Sequence, residues 1–373
     1  MPVLRSYPSG LIFLFVGILY TFNSVGAAPP SKLSIQLYGG GPFDTGSVQY
    51  SGQNGFNHLF DSSSDWDTAR ADISSFEINT QFAVWGSDIL LKQVFLYLNT
   101  YGIPLALEGL MLPSVGGIGS GVEGFNGPPG GMGSVVARIK MLGGNLSSLS
   151  MDEPLYFGHQ SNQTNAPEWS INQVAQNVAV NVDAVRKIFP EIEIGDIEPI
   201  QYTNDLQNWI SAYQDATGTP LAFLKADLNY VVPTWLSSLE DVSSQLTKYN
   251  IPLSVIFDGN SGDTSNISFT EHARQDFLQA RTDPKVIFSQ AVVQSWLPYP
   301  TELLPDYDAG TSTNLVIQIS NTENSLNRIS EPGSFFRFFI LIIILYWCRY
   351  MRKTVSAQPG SSTDFPCRVI LMA

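Results

Sequence analysis

Two stretches of this 373-residue chain end in the same way. Leu146-Ser147-Ser148-Leu149-Ser150-Met151-Asp152-Glu153-Pro154 reads as a short buried strand that stops in two acids and a proline, and Ile192 to Pro199 runs apolar, then acidic, then Glu198-Pro199. Proline cannot donate to a sheet ladder, so each strand stops there. Between them Ile171, Val174, Ala175, Val178, Val182, Val185 and Ile188 recur at the spacing of one helical face. Strand, helix, strand is the βαβ unit, whose parallel strands present their C-terminal ends on one side. Glu153 and Glu198 are therefore expected at a common rim.

The unit repeats. Ile103-Pro104-Leu105, Thr219-Pro220-Leu221 and Ile251-Pro252-Leu253 each follow a helical segment and open an apolar run that leads to an acid, Glu108, Asp227 and Asp258 respectively. This echo predicts strands near 33–38, 76–84, 104–109, 146–152, 192–198, 221–227, 252–258 and 285–294. Helices are predicted over 66–73, 89–101, 133–142, 171–189, 206–217, 235–249 and 269–281. Eight such strands over about 270 residues match an α/β fold of the (β/α)8 TIM-barrel type, a single domain. A doubly wound open sheet is the alternative, but its first strand would run through a Gly-rich turn into a helix. Here Gly39-Gly40-Gly41-Pro42 enters a long loop instead.

The flanks read differently. Arg5, the apolar run Leu11 to Tyr20 and the small residues of Val25-Gly26-Ala27 predict a signal peptide over 1–27, with a barrel domain over 28–325 and a tail over 326–373. Asn145-Leu146-Ser147, Asn162-Gln163-Thr164 and Asn266-Ile267-Ser268 are glycan acceptor patterns that agree with a secreted, extracellular protein. In the tail, residues 335–348 are apolar apart from Arg337 and are followed by Arg349, Arg352 and Lys353. That segment is a candidate membrane anchor, although it is short for a span; a hydrophobic tail of another kind or an incorrectly joined reading frame are the alternatives. Both cysteines, Cys348 and Cys367, lie in the tail, so the body must be held by its core without disulfides.

Composition narrows the function. A formal net charge of −14 leaves no general basic surface, which argues against nucleic acid and acidic polymers as partners. The only histidines are His58, His159 and His272, without His-x-His or His-Glu-x-x-His spacing, so no metal site and no cofactor are expected. A monomer acting on a small or polymeric neutral ligand is the expectation. Acids at strand ends, with Tyr38, Tyr156, Trp296 and Tyr299, suit a neutral sugar: aromatic faces cover pyranose rings while carboxyls bind hydroxyls and move protons.

The order of elements resembles the (β/α)8 glycoside hydrolases. Asp152-Glu153-Pro154 is similar to the Asn-Glu-Pro ending strand four in the retaining clan of cellulases and mannanases, and the resemblance implies that Glu153 is the acid/base. The clan's nucleophile is a Glu ending strand seven, where this chain has Asp258. The resemblance thus implies hydrolysis of O-glycosidic bonds in a neutral oligo- or polysaccharide with Glu153 as the acid/base; the second catalytic carboxylate is expected to be Glu198, whose Glu-Pro ending repeats that of Glu153, with Asp258 as the alternative. Asp152, Tyr38, Tyr156, His159, Asp227, Asn229 and Trp296 would bind the carbohydrate substrate. Two alternatives stay open: a noncatalytic carbohydrate-binding or structural barrel, and a hexosaminidase-like mechanism in which Asp152 orients the substrate's acetamido group and Glu153 is the acid.

Overall fold

The computed structural model describes residues 33–41, 43–44, 49–50, 54–61 and 65–330. The segments read as a signal peptide and as an apolar tail lie outside them. Eight parallel strands close a barrel: β1 (Ser34–Gly40), β2 (Ser75–Asn79), β3 (Leu105–Gly109), β4 (Leu146–Asp152), β5 (Glu193–Pro199), β6 (Leu224–Asp227), β7 (Leu253–Phe257) and β8 (Gln290–Val293). Each strand pairs with its sequence neighbours, and β8 closes on β1 through Ser34↔Gln290 to Leu37↔Val293. The chain is a (β/α)8 barrel, not an open sheet.

Around it lie α1 (Asp67–Asp72), α2 (Thr80–Trp85), α3 (Asp88–Tyr101), α4 (Met132–Met141), α5 (Ile171–Ile188), α6 (Leu206–Thr217), α7 (Trp235–Tyr249), α8 (Asn266–Thr282) and α9 (Ser312–Ser330). Their apolar stripes meet the outward residues of the strands in one continuous core, which holds Trp66, Trp209, Phe76, Phe95 and Phe277. Capping is explicit in α5, where Ser170 and Gln173 exchange side-chain and backbone hydrogen bonds at the N-terminus.

The lumen has a second, much smaller apolar cluster, Ile197, Ile256 and Val292 from β5, β7 and β8. Most of the remaining interior is polar. Lys225 on β6 reaches across to Glu77 on β2, with 2.7 Å from Nζ to each carboxylate oxygen, and Ser150 on β4 donates to the same Glu77 at 2.9 Å. Gln36 donates to Ser75 Oγ at 3.0 Å. A buried charge is tolerated when paired and hydrogen-bonded, and this pair is both. Its members belong to strands that are not neighbours, which identifies the residues that point inward.

Two strands are shorter than the sequence pattern predicts. The run 76–84 ends as a strand at Asn79, whose side chain accepts from Phe82 N and starts α2. The run 285–294 forms a ladder only over Gln290–Val293; Val286 and Phe288 are buried outside it. At β1 the register slips between Tyr38 and Gly40. A Cβ on Gly39 would stand 2.3 Å from the Phe76 ring, so the bulge needs glycine there.

Candidate active site

At the C-terminal end of the lumen, contacts between distant strands assemble a ring of carboxyls. On β3, Glu108 receives Tyr38 OH from β1 at 3.2 Å and Gln294 Nε2, just after β8, at 3.1 Å. Burial, then Asp152 and Glu77, holds its carboxyl well above the usual range, with Lys225 acting in the opposite sense. The Trp296 ring leans against Tyr38, with centroids 5.6 Å apart, and closes this side of the rim.

The other side is built by Asp152 and Glu153. Asp152 shares the parity of inward Ser150, so alternation alone would turn Glu153 outward. Instead Glu153 leaves the strand at φ +46° while its N–H still donates to Ile197 O at 3.1 Å. A left-handed non-glycine residue costs on the order of 1–3 kcal/mol and persists only where its surroundings enforce it. Its effect is to let consecutive acids serve one rim. The Glu153 carboxyl hydrogen-bonds Asp227 at the end of β6, two strands away. Burial, then Asp227, Asp152, Glu123 and Glu198, raises Glu153 well above its ordinary value. Burial also raises Asp227, but the bonds from Glu153 and from Leu228 N–H pull it back. Both carboxyls are thus raised, and the hydrogen bond between them favours the charged form of Asp227.

Glu123 comes from the Gly-rich loop between β3 and α4. The loop closes on itself through Leu112 N to Gly124 O at 2.9 Å and Asn126 N to Leu112 O at 2.8 Å. Gly124 N–H meets the Asp152 carboxyl, which burial and then Glu123 and Asp227 push well up. A Cβ on Gly124, whose φ is +78°, would lie 2.6 Å from Asp152 O, so only glycine lets the loop approach this closely. Asp258 follows inward Ile256 on β7 and is 7 % exposed. Burial, then Asp227, raises its carboxyl.

Glu198 is placed otherwise. It remains in the β5 ladder next to inward Ile197, so its side chain faces the helices. There it is fully buried and accepts from Leu155 N at 2.7 Å, Tyr156 N at 3.1 Å and Thr203 Oγ1 at 3.4 Å. The structure does not bring it to the lumen with Glu153, although both acids stand at the same end of the barrel. Tyr156 packs on the core with its ring against Phe157. His159 Nδ1 lies 2.5 Å from Trp169 O and braces the loop after β4. Asn229, exposed, ties two rim loops together by receiving Gln201 Nε2 on its carbonyl and donating its N–H to Gln201 Oε1.

Of the residues singled out in the sequence, Glu153, Asp152, Asp227, Asp258, Tyr38 and Trp296 thus lie at the lumen. Glu123, Gln294, Glu77 and Lys225 were missed as site residues. Only Glu77 and Lys225 carried a sequence signal, a charge inside an otherwise apolar strand. Among the described residues, no three His, Cys, Asp or Glu side chains have the geometry of a metal site, and no helix is long and apolar enough to cross a membrane.

No protein-family model and no curated protein matches the sequence. Solved structures that superpose on the chain include the Ignisphaera aggregans GH53 catalytic domain, at 10 % identity and TM-score 0.47, covering 80 % of this chain and 97 % of that one. A glucosidase from Croceicoccus marinus follows at 10 % identity and TM-score 0.45, covering 78 % and 68 %. A protein from Burkholderia cenocepacia J2315 described as a phosphonomutase gives 11 % identity and TM-score 0.36, covering 71 % and 88 %. Likeness at this level carries no argument about chemistry. Any functional reading must come from the rim itself.

Proposed function

We propose that the chain is a secreted glycoside hydrolase that cleaves O-glycosidic bonds at the C-terminal rim, with Glu153 as the general acid. The observation that carries this reading is the left-handed Glu153, which places two consecutive acids at one rim and hydrogen-bonds Asp227. A carboxyl whose proton affinity is raised by burial and by acidic neighbours is suited to proton donation to a leaving oxygen. Asp227 takes the hydrogen bond and orients that proton. The oxocarbenium-like centre needs a second carboxylate, and Asp258, just after β7 and close enough to Asp227 to feel its charge, is assigned that role. Tyr38 and Trp296 offer the apolar faces a sugar ring needs.

The test is Glu153→Gln on purified enzyme. Turnover of a poor leaving group should fall roughly 10²–10⁴-fold, while an aryl glycoside with an activated leaving group should lose much less. An unchanged rate on the natural glycoside removes Glu153 from this role. If the wild type turns over no glycoside, the binding-barrel reading replaces hydrolysis. The adjacency of Asp152 and Glu153 favours a second, substrate-assisted reading, which requires an acetamido group on the substrate; cleavage of a glycoside without one excludes it. Export rests on the apolar run before Val25-Gly26-Ala27. The mature chain should start near Ala28, and recovery of secreted protein that retains Met1 to Leu11 would contradict this.

A further inference from the structure

Every loop that follows a barrel strand lacks lysine and arginine. Residues 41–66, 80–87, 110–131, 153–170, 200–205, 228–234, 258–265 and 294–311 contain neither, yet they carry Glu123, Glu153, Asp258, Asp263, Glu302 and Asp306, among other acids. The described cations stand outside the lumen: Arg138, from α4, is paired with Asp88 and donates to the carbonyls of Val84 and Gly86, Arg281 and Lys285 pair with Glu323 and Glu240, and Lys140 donates to Ile188 O at the opposite end. Lys225 is the one cation inside the described lumen, 1 % exposed, and its charge is consumed by both oxygens of Glu77. Apart from the pull of Lys225 on Glu108, the rim carboxyls consequently face one another without a nearby counter-charge. They push each other's proton affinity up, as Asp227 and Asp152 do to Glu153, and a cation placed among them would relieve that repulsion and favour their ionised forms.

A second feature points to a donor that is absent from the protein. Gln294 is 2 % exposed, and its Nε2 is fixed by Glu108, which leaves its Oε1 as an acceptor with no hydrogen-bond partner among the described residues. A buried acceptor without a donor costs about 1–3 kcal/mol, and it sits beside the carboxyl ring. A site lined by acceptors of one sign, within low-dielectric walls, concentrates cations.

We propose that the ligand of this face is a saccharide chain of de-N-acetylated amino sugar, whose ammonium groups supply the positive charge that the rim lacks and an N–H donor for Gln294 Oε1, while its hydroxyls can accept from Trp296 Nε1, which likewise has no partner among the described residues. The proposal rests on the glycosidase reading for its choice of a saccharide, and it departs from the neutral substrate that the composition suggested. Glu123, Asp152 and Gln294 Oε1 are the acceptors it assigns. It also has a mechanistic consequence: without an acetamido carbonyl the substrate has no nucleophile of its own, so a second enzyme carboxylate is required.

The experiment measures calorimetric binding of glucosamine, N-acetylglucosamine and glucose oligomers of equal length to the wild type and to Glu153→Gln, with turnover by the wild type scored separately. Glucosamine oligomers should bind on the order of tenfold or more tightly at low salt, and should lose that advantage at about 1 M salt, where charges are screened within a few ångströms. Glu123→Gln should weaken the glucosamine oligomer several-fold more than the glucose oligomer. Glu191→Gln, at the opposite end of the barrel, should change neither. Equal or weaker binding of the glucosamine oligomer, a preference indifferent to salt, or equal loss in Glu123→Gln and Glu191→Gln overturns the inference. Preferred binding without turnover would retain it and remove the hydrolase; turnover of neutral glycans without the preference would do the reverse.

Discussion

Glu153 and Glu198 are each followed by proline, and the sequence offers no way to tell them apart. Their backbones do. Glu153 leaves the ladder at φ +46°, whereas Glu198 continues in strand and accepts the N–H groups of Leu155 and Tyr156. One carboxyl therefore reaches Asp227 at the rim, and the other holds the turn on which its counterpart stands. This separation predicts different phenotypes. Glu198→Gln replaces one acceptor by a donor opposite a buried N–H, which should cost about 1–3 kcal/mol and lower the urea midpoint at constant m-value. The ratio of rates on poor and activated leaving groups should stay as in the wild type. If Glu198→Gln instead keeps its stability and reproduces the leaving-group dependence of Glu153→Gln, Glu198 acts in the chemistry.

Elements were legible wherever periodicity and punctuation agreed. The helices at 206–217 and 235–249 have the predicted bounds, because their apolar stripes are bounded by turn residues such as Gly218 and Asn250, both left-handed. Strand β2 was overread, since Phe76, Ile78, Phe82, Val84 and Trp85 suit strand or helix on either side of the polar Asn79-Thr80-Gln81; the cap by Asn79 decides, and a cap is visible only in three dimensions. Helix α9 was missed because residues 312–330 are rich in Asn, Ser and Thr, and its amphipathic pattern is diluted by them. The Gly-rich loop between β3 and α4 has no periodicity from which its course could be read. Its self-closing hydrogen bonds and the contact of Gly124 with Asp152 make it a positioned wall that carries Glu123. Inward and outward acids could not be sorted because strand ends are where alternation fails: a single left-handed residue inverts the side on which the next carboxyl appears.

The whole molecule gathers buried carboxyls on both sides of its barrel wall. Glu108, Asp152, Glu153, Asp227 and Asp258 line the lumen, Asp196 and Glu198 lie between strands and helices, and burial is the leading cause of every upward shift. Asp276 on α8, with an Oδ2 that has no partner among the described residues, is pushed up to about 7. A raised folded-state value means that the native protein retains protons which the unfolded chain releases above about pH 4. Stability from these groups is therefore complete below that pH and is lost as pH rises through the folded values; for Asp276 this window runs from about 4 to about 7. Self-repulsion at a net charge of −14 has the same sign, since protonation reduces it. The melting temperature should accordingly be higher near pH 5 than near pH 7.5, and Asp276→Asn, which cannot ionise, should flatten the part of the profile between them. Scanning calorimetry across this range, with wild type and Asp276→Asn side by side, checks both statements. A melting temperature that rises toward neutral pH would mean that the rim carboxyls are ionised and stabilised by partners the barrel does not display, and the case for Glu153 as a resident proton donor would fall with it.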